Sequence, residues 1–136
     1  MIVADTNLIA YLFLSGERTE EARDVFRRDP RWAAPLLWRS EFRNLLCTQA
    51  RGGSLGLRDA QAIMSRAEDL FAGSEYQVPS DAVIEAALDS GCSAYDCEFA
   101  VLAADLSVPL VTSDARVLAA FGSLAVSMTR FSRHGY

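Results

Sequence analysis

The segment Ile2-Val3-Ala4-Asp5 constrains this chain more than any other part of it. Three apolar residues without polar alternation fit a short strand covered on both faces, as in a parallel sheet between helical layers. The run stops at a carboxylate, followed by the small polar residues Thr6 and Asn7. In open α/β sheets the crevice beyond the strand ends is where ligands bind. A charge placed there needs a partner, and the rest of the sequence must supply it.

Helix-like and strand-like segments alternate along the remainder, with no internal repeat and no linker. Leu8 to Leu14 reads as a short apolar helix broken by Ser15-Gly16, and residues 17 to 29 as an amphipathic helix closed by Asp29-Pro30. A strand is predicted at Trp32 to Ala34, then a helix from Leu36 to about Arg51 ended by Gly52-Gly53, and its partner from Leu57 to Phe71. Tyr76 to Val78 reads as a weak strand. Helices follow over Ser80 to Asp89 and Tyr95 to Leu106, then a strand at Leu110 to Thr112, a helix over Ala115 to Phe121 and a last strand near Leu124 to Val126. This βα alternation predicts a three-layer α/β/α fold with a mainly parallel sheet. At 136 residues the expectation is a single domain, 1–136, with Thr129 to Tyr136 a mobile tail or a sheet edge.

Composition removes several kinds of chemistry. All 13 basic residues are arginine, so no phosphate loop, Schiff base or other site can rest on a lysine ammonium. Cys47, Cys92 and Cys97 lack C-x-x-C spacing and His134 is the single histidine, which argues against a zinc site, a disulfide framework or a histidine-based triad. No run of eighteen apolar residues occurs, and Asp5 interrupts anything like a signal peptide, so the expected location is cytoplasmic and without a membrane. A net charge of −5 disfavours loose electrostatic binding of nucleic acid, but not a site whose acids are neutralised by metal ions.

Three further acids occupy positions that ask for an explanation. Glu41 falls in line with Leu37 and Leu45 at four-residue spacing, nearly opposite Arg39 and Arg43, and a carboxylate in an apolar stripe needs a partner. A salt bridge to a neighbouring arginine would also satisfy it. Asp96 opens a segment that is apolar nearly all round, yet Ser93-Ala94-Tyr95-Asp96 also fits a capping box. Asp114 follows the strand Leu110-Val111-Thr112 and so mirrors Asp5, although aspartate there is equally an ordinary helix N-cap. Taken together, two strand ends finishing in aspartate and two acids on apolar helix faces are harder to assign to caps and salt bridges than each is alone.

The elements Val3-Ala4-Asp5-Thr6-Asn7, Ser40-Glu41-Phe42-Arg43-Asn44, Tyr95-Asp96 and Val111-Thr112-Ser113-Asp114 stand in the order and at the approximate separations found in PIN-domain ribonucleases. In particular the chain resembles the VapC-type toxins of bacterial toxin–antitoxin pairs, from residue 2 to about 127. That resemblance implies a PIN-like sheet of strand order 3-2-1-4-5, in which the first and fourth strands are neighbours and Asp5 and Asp114 converge. It implies that Asp5, Asp96 and Asp114 hold Mg²⁺ or Mn²⁺, with Glu41 binding directly, through water or to a second ion. The reaction implied is hydrolysis of RNA by a water activated by one or two ions, leaving a 5′-phosphate and a 3′-hydroxyl. Hard oxygen donors suit these ions, which lower the pKa of water and offset charge developing at phosphorus.

The same resemblance gives Thr6 a hydrogen bond to a phosphate oxygen or to Asp5. Thr112 is expected to brace the adjoining strand end, and Asn7 and Asn44 either to orient ligands or to cap local backbone. Arg39 and Arg43 are candidate phosphate forks, as are the arginines at 23, 27, 28 and 31, and the tail mixes cations with aromatics able to stack on bases. Expected partners are an RNA substrate, with transfer RNA one candidate, a cognate antitoxin protein and a second copy in a homodimer. Haloacid-dehalogenase-type phosphatases and phosphorylation-responsive receivers are disfavoured by the missing lysine. The remaining alternative is a catalytically silent PIN-like scaffold binding RNA or protein, against which the intact set of four acids counts.

Overall fold

Ile2, Val3 and Ala4 form strand β1 (Ile2–Ala4), and all three are fully buried in the middle of the sheet. The computed structural model describes residues 1–136. After β1 come α1 (Thr6–Phe13), α2 (Thr19–Arg28), β2 (Trp32–Pro35), α3 (Leu37–Arg51), α4 (Leu57–Leu70) and β3 (Glu75–Tyr76). They are followed by α5 (Ser80–Ser90), α6 (Ala94–Leu106), β4 (Leu110–Thr112), α7 (Ala115–Ala120), β5 (Ala125–Ser127) and α8 (Met128–His134). The five strands are ordered β3-β2-β1-β4-β5 and every pairing is parallel.

The pairing explains why two distant aspartates meet. Val3 is level with both Ala33 on β2 and Leu110 on β4, and Ala4 is level with Val111. The ladder runs one residue further, since the Asp5 N–H donates to the Val111 carbonyl at 3.1 Å. Asp5 is thus fixed by backbone beside the end of β4, where Thr112, Ser113 and Asp114 follow. Strands β1, β2 and β4 are buried throughout because helices cover both faces of the sheet there.

Helix α6 covers one face of the sheet, packing on β1, β2 and β4 with α5 outside it. Phe99, Ala100, Leu102 and Ala103 are all buried there, as its apolar sequence predicts. On the other face α1 and α3 lie side by side, flanked by α2, α4 and α8. The core on that side is aromatic: Trp38 on α3 stacks against Phe71 at 4.7 Å between ring centroids, with Phe42 one turn along at 6.1 Å. The apolar stripe of α3 is therefore Trp38, Phe42 and Leu46, and Glu41 stands at its border, half-buried, with Leu45 on the exposed side.

The C-terminal residues differ from the expectation of a mobile tail or sheet edge. Met128 and Phe131 are buried in the main core, Ser127 caps α8 by accepting from the Arg130 N–H at 3.2 Å, and Thr129 bonds Glu21 on α2. The third strand is also earlier and shorter than predicted, at Glu75–Tyr76, with Val78 outside the ladder. If α8 is part of the folded core, Phe131→Ala opens a cavity and lowers the unfolding free energy by about 3 kcal/mol or more. Urea denaturation measures this, and a loss below about 1 kcal/mol would mean that α8 can detach without cost to the core.

Candidate active site

Asp5, Glu41, Asp96 and Asp114 come from four separate elements and line one cleft of about 340 Å³, with Thr6, Asn7, Asn44 and Leu45 completing the wall. The cleft lies beyond the C-terminal ends of β1 and β4, where an open parallel sheet places its ligands. No arginine lines it.

Asp5 is the most enclosed acid, only 7% exposed. Its Oδ1 accepts from the Thr6 N–H at 2.8 Å, which caps α1, and its Oδ2 accepts from the Thr112 hydroxyl at 2.6 Å. Thr112 is fully buried, and its oxygen also accepts from the Asp114 N–H at 3.0 Å and from Asn7 Nδ2 at 3.3 Å. With both acceptor positions filled, the single hydroxyl proton is committed to Asp5. Asn7 completes the junction, reaching Asp5 Oδ2 with its amide at 3.4 Å and accepting from the Ser113 N–H at 3.3 Å. The expected brace by Thr112 is thus present, and Asn7 orients Asp5 and caps backbone at once.

Glu41 forms no ion pair with any arginine. Its Oε1 accepts from the Thr6 hydroxyl at 2.7 Å, so Thr6 serves Asp5 through its backbone and Glu41 through its side chain. Asp96 realises only half of the capping box: the Ser93 hydroxyl accepts from the Asp96 N–H at 3.1 Å, but the Asp96 carboxylate makes no return bond and lines the cleft. Asp114 does cap α7, accepting from the Arg116 and Val117 N–H groups at 2.8 and 3.3 Å. Both bonds fall on Oδ1, so the cap does not use its second oxygen.

Crowding acids without cations has an electrostatic cost. Burial, with repulsion from Asp96 and Glu41, pushes the Asp5 carboxyl up to about 6 against the pull of its Thr112 and Thr6 hydrogen bonds. Burial and Asp96 likewise raise Glu41. Glu98 on α6 is a fifth acid in this field, raised by burial and by Glu41. Sequence reasoning passed over Glu98, and no spacing signal marks it, because its approach to Glu41 depends on how α6 and α3 are placed around the sheet.

The donor set suits a hard divalent ion: it is all oxygen, and its mutual repulsion is what a cation relieves. As the side chains stand, no three of these acids are disposed around one point so as to grip an ion together. The oxygens without a hydrogen bond are Glu41 Oε2, Asp114 Oδ2 and both of Asp96, so the fit lies in chemistry and charge.

Of the arginines expected to fork phosphate, Arg39 and Arg43 on α3 lie outside this cleft. Arg39 grips Glu75 on β3 through Nε and Nη2 at 2.6 and 2.7 Å and also pairs with Glu68 on α4, while Trp38 Nε1 donates to the same Glu75 at 3.2 Å. It is a staple between α3, α4 and β3. Arg43 folds back on its own helix, its Nε donating to the Arg39 carbonyl at 3.0 Å, and lines a groove between α3 and α4.

No family model matches the sequence, and no curated protein matches it. Solved structures do match. PAE2754 from Pyrobaculum aerophilum superposes with a TM-score of 0.77 at 21% identity, over 97% of this chain and 93% of that one. FitAcB from Neisseria gonorrhoeae gives 0.75 at 17% identity, over 95% of this chain and 99% of that one. At such identities the likeness is one of fold, and it fits a PIN-like architecture with the strand order observed here.

Two outcomes are expected. A carboxyl raised in the folded state keeps its proton where the unfolded chain has lost it, so its stability contribution is present below about pH 4 and is lost as pH rises through about 6. The metal-free protein should lose about 2–3 kcal/mol of unfolding free energy across that window, and Asp5→Asn should flatten the slope; an unchanged slope in denaturant titrations would contradict the placement of Asp5. Arg39→Ala should cost about 2 kcal/mol by the same measurement. A neutral result there would show that the staple is not formed in solution.

Proposed function

We propose that this protein is a Mg²⁺- or Mn²⁺-dependent endoribonuclease and the toxin of a toxin–antitoxin pair. The observation that carries the reading is the meeting of Asp5, Glu41, Asp96 and Asp114 in one cleft without a neutralising arginine. A fold that places four acids together at the cost of a raised Asp5 carboxyl has a use for a cation. The toxin assignment rests on the resemblance of the ordered motifs to VapC-type toxins.

The residues divide the work as follows. Asp5, Asp96 and Asp114 would hold the ion, and Thr112, Thr6 and Asn7 fix Asp5 so that one ligand would be set in advance. Bound there, Mg²⁺ or Mn²⁺ would supply activation of water and offset charge on the phosphodiester. Glu41 is held through Oε1 by Thr6, which leaves Oε2 to receive a proton from the attacking water or to bind a second ion. Its raised affinity for protons suits the first role.

Purified protein should cleave RNA with Mg²⁺ or Mn²⁺ and not with chelator. Asp5→Asn should lower kcat/KM by roughly 100- to 1,000-fold with the fold retained. Mn²⁺ should also raise the Tm of the natural protein and leave that of Asp5→Asn unmoved. Cleavage that survives chelation would end this reading, and RNA or protein binding with no cleavage under any metal would favour the scaffold. Expression alone should arrest growth, and a product encoded beside the gene should relieve the arrest.

A further inference from the structure

Beside the acid cleft, along α1 and α3, lies a second hollow of about 440 Å³. Leu45 lines both. On α1, Asn7 faces the cleft and Tyr11, one turn or about 6 Å further, faces the hollow; on α3, Glu41 and Gln49 stand in the same relation, two turns apart. The hollow is indexed to the acids by more than proximity. The Tyr11 hydroxyl lies 3.4 Å from Ser113 Oγ, and Ser113, between Thr112 and Asp114, donates its N–H to Asn7.

Arg18 forms the other wall. Its guanidinium lies over the Tyr11 ring, 5.1 Å from the centroid, and is held there by Glu21, which accepts from Nε at 3.0 Å and approaches Nη2 at 2.9 Å. The side chain is 38% exposed, so the stack is accessible. Arg18 is the one arginine that lines the hollow, while Arg23 and Arg27 pair with Glu20 and Asp24, and Arg39 with Glu68 and Glu75. The acid cleft itself contains no cation and no aromatic ring, so a strand crossing it must be gripped beside it.

The charge balance decides what part of a nucleotide this hollow takes. Glu21 neutralises Arg18 and Glu17 also lines the hollow, which makes it a poor phosphate site. A planar guanidinium fixed on a phenol ring is instead a stacking platform, and unpaired bases stack on both aromatic rings and arginine planes. We propose that Tyr11 and Arg18 form a base-stacking subsite for an unpaired nucleotide flanking the scissile phosphate. This rests on the nuclease reading of the neighbouring acids.

The test uses the full chain, short single-stranded RNA oligonucleotides and the variants Arg18→Lys, Arg18→Gln and Tyr11→Leu, each checked for fold by its melting curve. Arg18→Lys keeps the charge and removes the plane. It should weaken binding, read by fluorescence anisotropy, and raise KM by roughly tenfold with kcat little changed, and Arg18→Gln should do the same. Tyr11→Leu removes the ring beneath the guanidinium and should weaken binding by a similar factor. Replacing the flanking nucleotides one at a time with abasic ones should, at one position, erase the difference between the natural protein and Arg18→Lys. Equal binding by the natural protein and folded Arg18→Lys, or a loss that persists with every abasic oligonucleotide, would overturn the subsite while leaving the nuclease reading in place. A natural protein that neither binds nor cleaves any RNA with Mn²⁺ would overturn both.

Discussion

The hydrogen bond from Thr112 to Asp5 is the joint on which the site depends. It is 2.6 Å long and buried, and it spans 107 residues of sequence to tie the end of β4 to the end of β1. Because the same oxygen accepts from the Asp114 N–H and from Asn7, one threonine sets the position of two acids and the direction of its own proton. The ladder brings the strands together, since Ala4 and Val111 are in register. Thr112 converts that register into a fixed arrangement of carboxylates.

The joint carries an electrostatic burden that the rest of the fold absorbs. Two hydrogen bonds lower the proton affinity of Asp5, but burial and the nearby Asp96 and Glu41 outweigh them. The acids around it obey different constraints. Asp114 spends one oxygen on capping α7, Glu41 spends one on Thr6, and Asp96 spends neither because Ser93 alone caps α6. The site therefore keeps oxygens free of hydrogen bonds on the three acids around one carboxylate that is held at both of its oxygens.

What could be read from sequence was whatever local pattern and chain order determine. The strands Ile2–Ala4 and Leu110–Thr112 showed as apolar runs ending in aspartate or its approach, and the four acids as an ordered set. Interactions made only by packing were not readable. Arg39 reads from sequence as an available phosphate fork, but its partners Glu68 and Glu75 lie 29 and 36 residues on, and nothing local links them. Helix α8 was missed because its apolar signal is two residues, Met128 and Phe131, among cations and hydroxyls. The Tyr11–Arg18 stack escaped for the same reason: the two belong to separate segments that only the turn at residues 14 to 18 brings face to face.

Anomalous diffraction from a crystal soaked in Mn²⁺ decides whether these acids form a metal centre around Asp5. A peak is expected in the cleft at about 2.0–2.2 Å from carboxylate oxygens of Asp5, Asp96 and Asp114, with Asp96 rotated toward Asp5 relative to the metal-free structure. A soaked crystal with an empty cleft, or with manganese held only by acids elsewhere, would contradict it.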